Sequence, residues 1–259
     1  MSEPADRPAL VLIPGLLCDA TVWPSQIAAL ADLADVRVAE HGMQDSLPAM
    51  ARSVLDQAPP RFAVAGHSMG GRVALEVYRA APERVTGVAL MDTGQHALPP
   101  GEAGEREKAG RRALLEVARA QGMRAMARQW VQGMVHPGRL GDRVLIDGIL
   151  DMFETKTAQM YENQIRALVN RPDAASVLPK ITCPALVLCG HEDSWSPVER
   201  HREIANAIPN STLEVIAACG HMCTLERPLE VNAALRAWFE RVRSGQGLPA
   251  RPSRTRERA

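Results

Sequence analysis

Aromatic side chains are scarce in this chain: three Phe, four Trp and two Tyr among 259 residues, or 3%. The core must therefore be assembled mainly from Ala, Leu, Val and Met. Lysine is nearly missing too, with three against 27 Arg, a skew that speaks of codon usage more than of mechanism. No sign of charge prevails, since 30 basic residues face 30 acidic ones. A neutral chain has no field with which to gather polyanions, which argues against a nucleic-acid partner. The five cysteines (Cys18, Cys183, Cys189, Cys219 and Cys223) include no CxxC pair and are odd in number, a pattern that suits a reducing compartment. No basic-then-apolar leader opens the sequence, and the early apolar run of residues 9–17 is broken by Pro14-Gly15 and too short to span a bilayer. These absences lead us to expect a soluble cytoplasmic protein without a membrane partner.

What is present is ordinary for a globule: 46% hydrophobic and 23% charged residues. The length fits one large α/β domain or a core with one insertion. Short runs rich in Val, Leu and Ala recur at residues 9–13, 36–39, 62–65, 85–91, 185–188 and 213–216. None alternates strictly, so both faces of each are expected to be buried, as in a parallel sheet. Amphipathic stretches at 22–33, 47–56, 70–80, 198–207 and 229–242 follow them. The alternation predicts a doubly wound, mainly parallel sheet of about six strands, with ligands at the strands' carboxyl ends. The rhythm breaks between residues 95 and 176, where helices are expected at 105–121, 124–135, 142–153 and 157–170. The expected organisation is a core of 1–94 and 177–243, a helical cap of 95–176, and a disordered Arg-rich tail of 244–259.

The strongest local signal is Gly66-His67-Ser68-Met69-Gly70-Gly71, between a strand-like run and a helix. A serine so placed sits on a tight turn with its hydroxyl above the sheet edge, and small neighbours let chain segments approach. No Lys-Ser/Thr follows the glycines, so a nucleotide loop is excluded. A serine hydroxyl needs a base and a group to orient that base. Among seven histidines, His221 follows the last strand-like run and is the favoured base. His67 adjoins the serine but is expected to point away along the turn. Asp193, after the run at 185–188, is the favoured acid, with Asp92 and Glu192 as rivals; the order Ser, Asp, His suits this fold. The oxyanion donors are expected to be the backbone N–H groups of Met69 and Leu16, the latter in the loop after the first strand.

Gly-His-Ser-Met-Gly-Gly, the Gly-x-x-Asp-x-x-x-Pro of Gly190 to Pro197, and Gly220-His221 together resemble the α/β-hydrolase superfamily over residues 9–242. Small bacterial carboxylesterases, carrier-protein methyl esterases and enol-lactonases are most similar. The resemblance implies a cofactor-free serine hydrolase acting on a small carboxylic ester or thioester through Ser68, Asp193 and His221. Two departures stand out. Pro14-Gly15 replaces the family's frequent His-Gly, leaving the anchoring of that loop open, and the N-terminal antiparallel hairpin is expected to be absent.

Weaker claims attach to four wall residues. Arg72 closes Gly-Gly-Arg-Val-Ala-Leu, wording similar to that of a menaquinone-pathway lyase on this fold whose substrate bears carboxylates. It is a candidate carboxylate ligand, or simply a pin for its helix. Trp130 sits on a cap helix with Met123, Met126 and Met134, while Trp195 and Met222 adjoin the acid and the base. Cys219 and Cys223 flank His221, but no second pair has ligand spacing, so no metal is expected. Two further readings stay open: the same triad used by a lyase, carbon–carbon hydrolase or enol-lactonase, and a non-catalytic small-molecule receptor.

Overall fold

The computed structural model describes residues 7–245. Residues 1–6 lie outside that range, as does nearly all of the tail expected at 244–259. The chain runs β1 (Ala9–Ile13), α1 (Pro24–Leu30), β2 (Asp35–Val38), α2 (Leu47–Gln57), β3 (Phe62–His67), α3 (Met69–Ala80) and β4 (Val85–Met91). Four helices follow without an intervening strand: α4 (Glu102–Gln121), α5 (Met123–Trp130), α6 (Arg143–Glu154) and α7 (Ala158–Val169). The core resumes with β5 (Ala185–Gly190), α8 (Val198–Ala207), β6 (Ser211–Ile216), the short α9 (Cys223–Glu226) and α10 (Pro228–Ser244).

All six strands are parallel, in the order β2-β1-β3-β4-β5-β6. The direction of winding reverses between β1 and β3, which opens a crevice at their carboxyl ends. Helices cover both sides of the sheet, with α1 packed against α10 and α2 against α3. Every residue of β1, β3 and β5 is buried, as expected for strands covered on both sides. The edge strands differ from that expectation. Asp35 and Arg37 of β2 are exposed, as are Glu214 and Val215 of β6, because an edge strand lacks a neighbour and full cover. Gly87 in β4 lets α10 approach: a Cβ there would stand 2.4 Å from Val242 Cγ2.

Caps explain most of the shifted boundaries. Asp142 and Thr157, expected as first helical residues, are instead the N-caps of α6 and α7, accepting from Leu145 N (3.2 Å) and Met160 N (3.0 Å). Such caps contribute about 1 kcal/mol each. Pro24 opens α1, and the residues before it form a separate 3₁₀ turn, Ala20–Val22, capped by Asp19. The helix expected at 124–135 ends at Trp130 and tightens into a 3₁₀ turn, Val131–Gly133. At the far end α10 runs to Ser244, and Gly245 closes it in the left-handed conformation.

The inserted helices leave and rejoin the core at one place, where the Ala174 N–H donates to the Gln95 carbonyl (2.8 Å). Arg171 bonds both oxygens of Glu107 on α4 (2.7 and 2.9 Å), tying the end of the insert to its start. No helix among the described residues is long and apolar enough to cross a membrane.

Candidate active site

Ser68 occupies the step from β3 into α3 with φ 54° and ψ −116°, a strained conformation for a residue with a Cβ. The surrounding glycines are there because nothing larger fits. A Cβ on Gly66 would fall 2.2 Å from the Gly70 carbonyl oxygen, and one on Gly70 only 2.1 Å from that of Ile13. Thr93 braces the turn from β4, donating its hydroxyl to the Ser68 carbonyl (2.6 Å).

His221 Nε2 lies 2.8 Å from Ser68 Oγ, and its Nδ1 lies 2.8 Å from Asp193 Oδ2. With Asp193 ionised, Nδ1–H donates to the carboxylate and Nε2 accepts from the serine hydroxyl. The other oxygen of Asp193 accepts from Trp195 N (2.9 Å) and Ser196 N (3.0 Å), so the carboxylate is held at both ends. Burial works against an imidazolium at His221. The charge and hydrogen bond of Asp193, with Asp92 and Glu226 beyond, outweigh it and raise the pKa above the usual 6.5.

The rival acids are occupied elsewhere. Asp92 Oδ1 accepts from Gly190 N (2.9 Å), and Glu192 Oε2 accepts from Cys219 N (3.0 Å). His67 does not point away, as expected, but lies beneath the site. Its Nε2–H donates to the His221 carbonyl (2.7 Å) and sits 3.5 Å from Asp92 Oδ2, because the strand end directs the ring toward the neighbouring His221 loop.

The loop after β1 brings its backbone against Ser68: a Cβ on Gly15 would stand 3.2 Å from Ser68 Cβ. Leu16 and Met69 both line the cavity above the serine. Met69 opens α3, where an N–H has no intrahelical acceptor. Two residues with no local sequence signal anchor this loop. Buried His41 donates to the Pro14 carbonyl (2.9 Å), and Gln164 of α7 accepts from Leu17 N (2.8 Å). The missing His-Gly is thus compensated from β2's far loop and from the insert.

The cavity encloses about 880 Å³ and reaches from Ser68 and His221 to the inserted helices. Arg72, Trp130, Trp195, Met222 and Met134 all line it. Met123 and Met126 are buried away from it in the core. Trp195 packs its ring 4.9 Å from that of His221, and Trp130 stacks on Trp195 at 5.5 Å. The face of α4 toward the cavity carries Glu107 and Arg111 beside Leu114, and Glu107 pairs with both Arg111 and Arg171.

Arg72 and Arg200 converge over Gly94, where a Cβ would lie 2.9 Å from Arg72 Nη2 and 2.8 Å from Arg200 Cδ. Arg72 donates to the His96 carbonyl and Arg200 to that of Trp195. Neither forms an ion pair with a carboxylate among the described residues. Burial and the charges of Arg171 and Arg200 push the Arg72 pKa down to about 9.

Ligating atoms of His67, Asp92 and Cys223 lie within 4.8 Å of one another. They suit a metal poorly, since burial pushes the Cys223 thiol pKa well up and Asp92 and His67 are already bonded to backbone.

The sequence profile of the alpha/beta hydrolase family matches residues 10–234. The chain is a hydrolase of that family. Among its relatives, a 3-oxoadipate enol-lactonase of Acinetobacter baylyi is 28% identical, over 92% of this chain and 90% of the relative. A putative carbamate hydrolase of Pseudomonas syringae is 26% identical, over 91% and 95% respectively. Among solved structures, a thermophilic esterase of Thermogutta terrifontis with malate bound superimposes with a TM-score of 0.80 at 27% identity, covering 91% of this chain and 90% of that one.

Proposed function

We propose that this hydrolase is a cofactor-independent serine enzyme that cleaves a small carboxylic ester or thioester through an acyl-enzyme on Ser68. The observation that carries the reading is the continuous line of hydrogen bonds from Ser68 Oγ through His221 to Asp193, 2.8 Å at each step. In the first half-reaction Ser68 Oγ attacks the carbonyl carbon while His221 Nε2 takes its proton. The Leu16 and Met69 N–H groups meet the developing oxyanion, each contributing about 2.7–4 kcal/mol to the barrier reduction. Collapse expels the alcohol or thiol, which receives the proton from Nε2. Water deprotonated by His221 then attacks the acyl carbon and frees Ser68. Asp193 holds Nδ1–H throughout and stabilises the imidazolium. The helices of residues 95–176 serve as a cap on the core of 1–94 and 177–243, excluding water above the serine. A series of p-nitrophenyl esters from acetate to decanoate, with Ser68→Ala as control, tests the reading. Turnover or fluorophosphonate labelling that survives in the variant overturns it.

A second reading of the same triad concerns the substrate. Arg72 and Arg200 bring two cations without carboxylate partners to the cavity, a setting that favours a carboxylate-bearing ester or enol-lactone. The enol-lactonase relative and the malate in the similar esterase agree with it. Arg72→Ala is expected to raise KM at least tenfold for a carboxylate-bearing ester and to leave a neutral one unchanged. Equal losses on both would reduce Arg72 to a helix pin.

A further inference from the structure

Glu226 is 2% exposed and forms no ion pair with a cation among the described residues, yet it bonds three separate backbone groups. Its Oε1 accepts from the N–H groups of Gly220 and Met222, each at 3.1 Å. These are the residues on either side of His221. Its Oε2 accepts from the N–H of His136 (2.7 Å), which belongs to the insert. The same stretch of the insert meets the loop twice more. Met134 accepts from the His221 N–H (2.8 Å), and a Cβ on Gly220 would fall 2.6 Å from His136 N. Met134 also lines the cavity. The loop, the base and part of the cavity wall therefore share one buried carboxylate.

We propose that Glu226 is a positioning residue: it clamps the His221 loop from both sides and ties it to the insert, so the base and the cavity wall are placed together. The inference rests on His221 being the base of the proposed reaction. A buried carboxylate answered only by N–H donors is a demanding choice, since leaving any of the three donors unbonded in the interior is costly. An apolar side chain would leave three such groups. Glutamine keeps the shape but turns an NH2 toward at least one N–H. Aspartate keeps the charge but is shorter by one methylene and cannot reach all three. The charged or titratable groups facing Glu226 are Asp92, His221, His136, Cys219 and Arg139, the last donating to its backbone carbonyl. Burial and the charge of Asp92 raise the Glu226 pKa, and the three N–H donors oppose them.

The test uses the full-length protein with Glu226→Gln and Glu226→Asp and reads three quantities. Amide exchange is expected to accelerate at His136, or at Gly220 and Met222 together, in Glu226→Gln, whose one oxygen serves only one side, and at one or more of the three in Glu226→Asp. The kcat for p-nitrophenyl butyrate is expected to fall at least tenfold, with KM within threefold. The His221 titration, followed by NMR, is expected to move to lower pH in Glu226→Gln, which loses a negative charge, and to stay in place in Glu226→Asp. Should Glu226→Gln not fold, the exchange and kcat of Glu226→Asp decide the matter. Unchanged exchange at all three amides, or a kcat within twofold of the parent, overturns the proposal. So does a lower Tm with kcat and titration unmoved, which is structural support alone. Exchange and titration need no turnover. A parent protein that neither cleaves esters nor reacts with a fluorophosphonate therefore refutes the hydrolase mechanism without touching the clamp.

Discussion

The floor and the roof of the cavity are built on different physical terms. The floor consists of strand ends and backbone: Gly66 and Gly70 sit where chains approach so closely that a single Cβ would collide, and Gly15 lies tight against Ser68. The roof consists of helices that carry side chains toward the cavity, and α4 has room to spare, with nothing within 4 Å of a Cβ placed on Gly110. A backbone-packed floor tolerates almost no change but can be recognised from its residue types. A side-chain roof tolerates change readily, and so leaves little trace of which residues matter. Substrate choice should accordingly vary with the roof, and reaction type with the floor.

The largest effect is expected at the proposed nucleophile. Ser68→Ala should lower kcat by more than about 10⁴-fold with little effect on Tm, measured with p-nitrophenyl butyrate and differential scanning calorimetry. Gly66→Ala attacks the floor's packing instead. A Cβ 2.2 Å from a carbonyl oxygen must displace backbone, at a cost of about 3 kcal/mol or more, and should leave little folded enzyme by urea denaturation.

A change of pH probes the floor without altering its shape. The charge of Asp193 and its neighbours holds the His221 pKa above 6.5, and in the proposed mechanism the neutral imidazole accepts the serine proton. Activity should therefore fall toward acid, with an apparent pKa above 6.5 in kcat/KM. The stability linkage runs the other way. A raised histidine pKa contributes most below the unfolded value, and that contribution is lost as pH rises through the folded pKa. A kcat/KM flat from pH 8 to pH 5.5 would remove His221 as the base. The smallest effect belongs to the roof. Gly110→Ala, mid-helix in α4 with open space around it, should stabilise by about 0.5–1 kcal/mol and keep the Ser68 chemistry intact. Any shift in its preference among acyl chains would locate the substrate near α4.

Legibility followed the same division. The order of strands and helices was readable because apolar runs and turn residues are local, and the serine turn because its glycines are obligatory. His41 and Gln164, which hold the loop after β1, carry no such mark. Their partners are a proline carbonyl and a leucine N–H, groups present everywhere in any chain. Arg200 stands on a helix face like any solvated arginine until α3 places Arg72 beside it over Gly94. The charged face of α4 carries no local mark either, because Glu107 finds Arg171, 64 residues away, and no window along the chain joins them.

By itself the amino-acid sequence determined the alternating architecture, the run of helices between β4 and β5 and the strained serine turn. Each depends on periodicity or on residues that alone fit a backbone geometry. Tertiary structure decided which of three carboxylates meets His221, that His67 turns inward beneath it, and that Glu226 bonds the N–H groups on either side of it. Those outcomes depend on where strand ends and loops meet in space. Asp92, Glu192 and Asp193 are chemically alike along the chain, and only packing left the Oδ2 of Asp193 within 2.8 Å of an imidazole nitrogen.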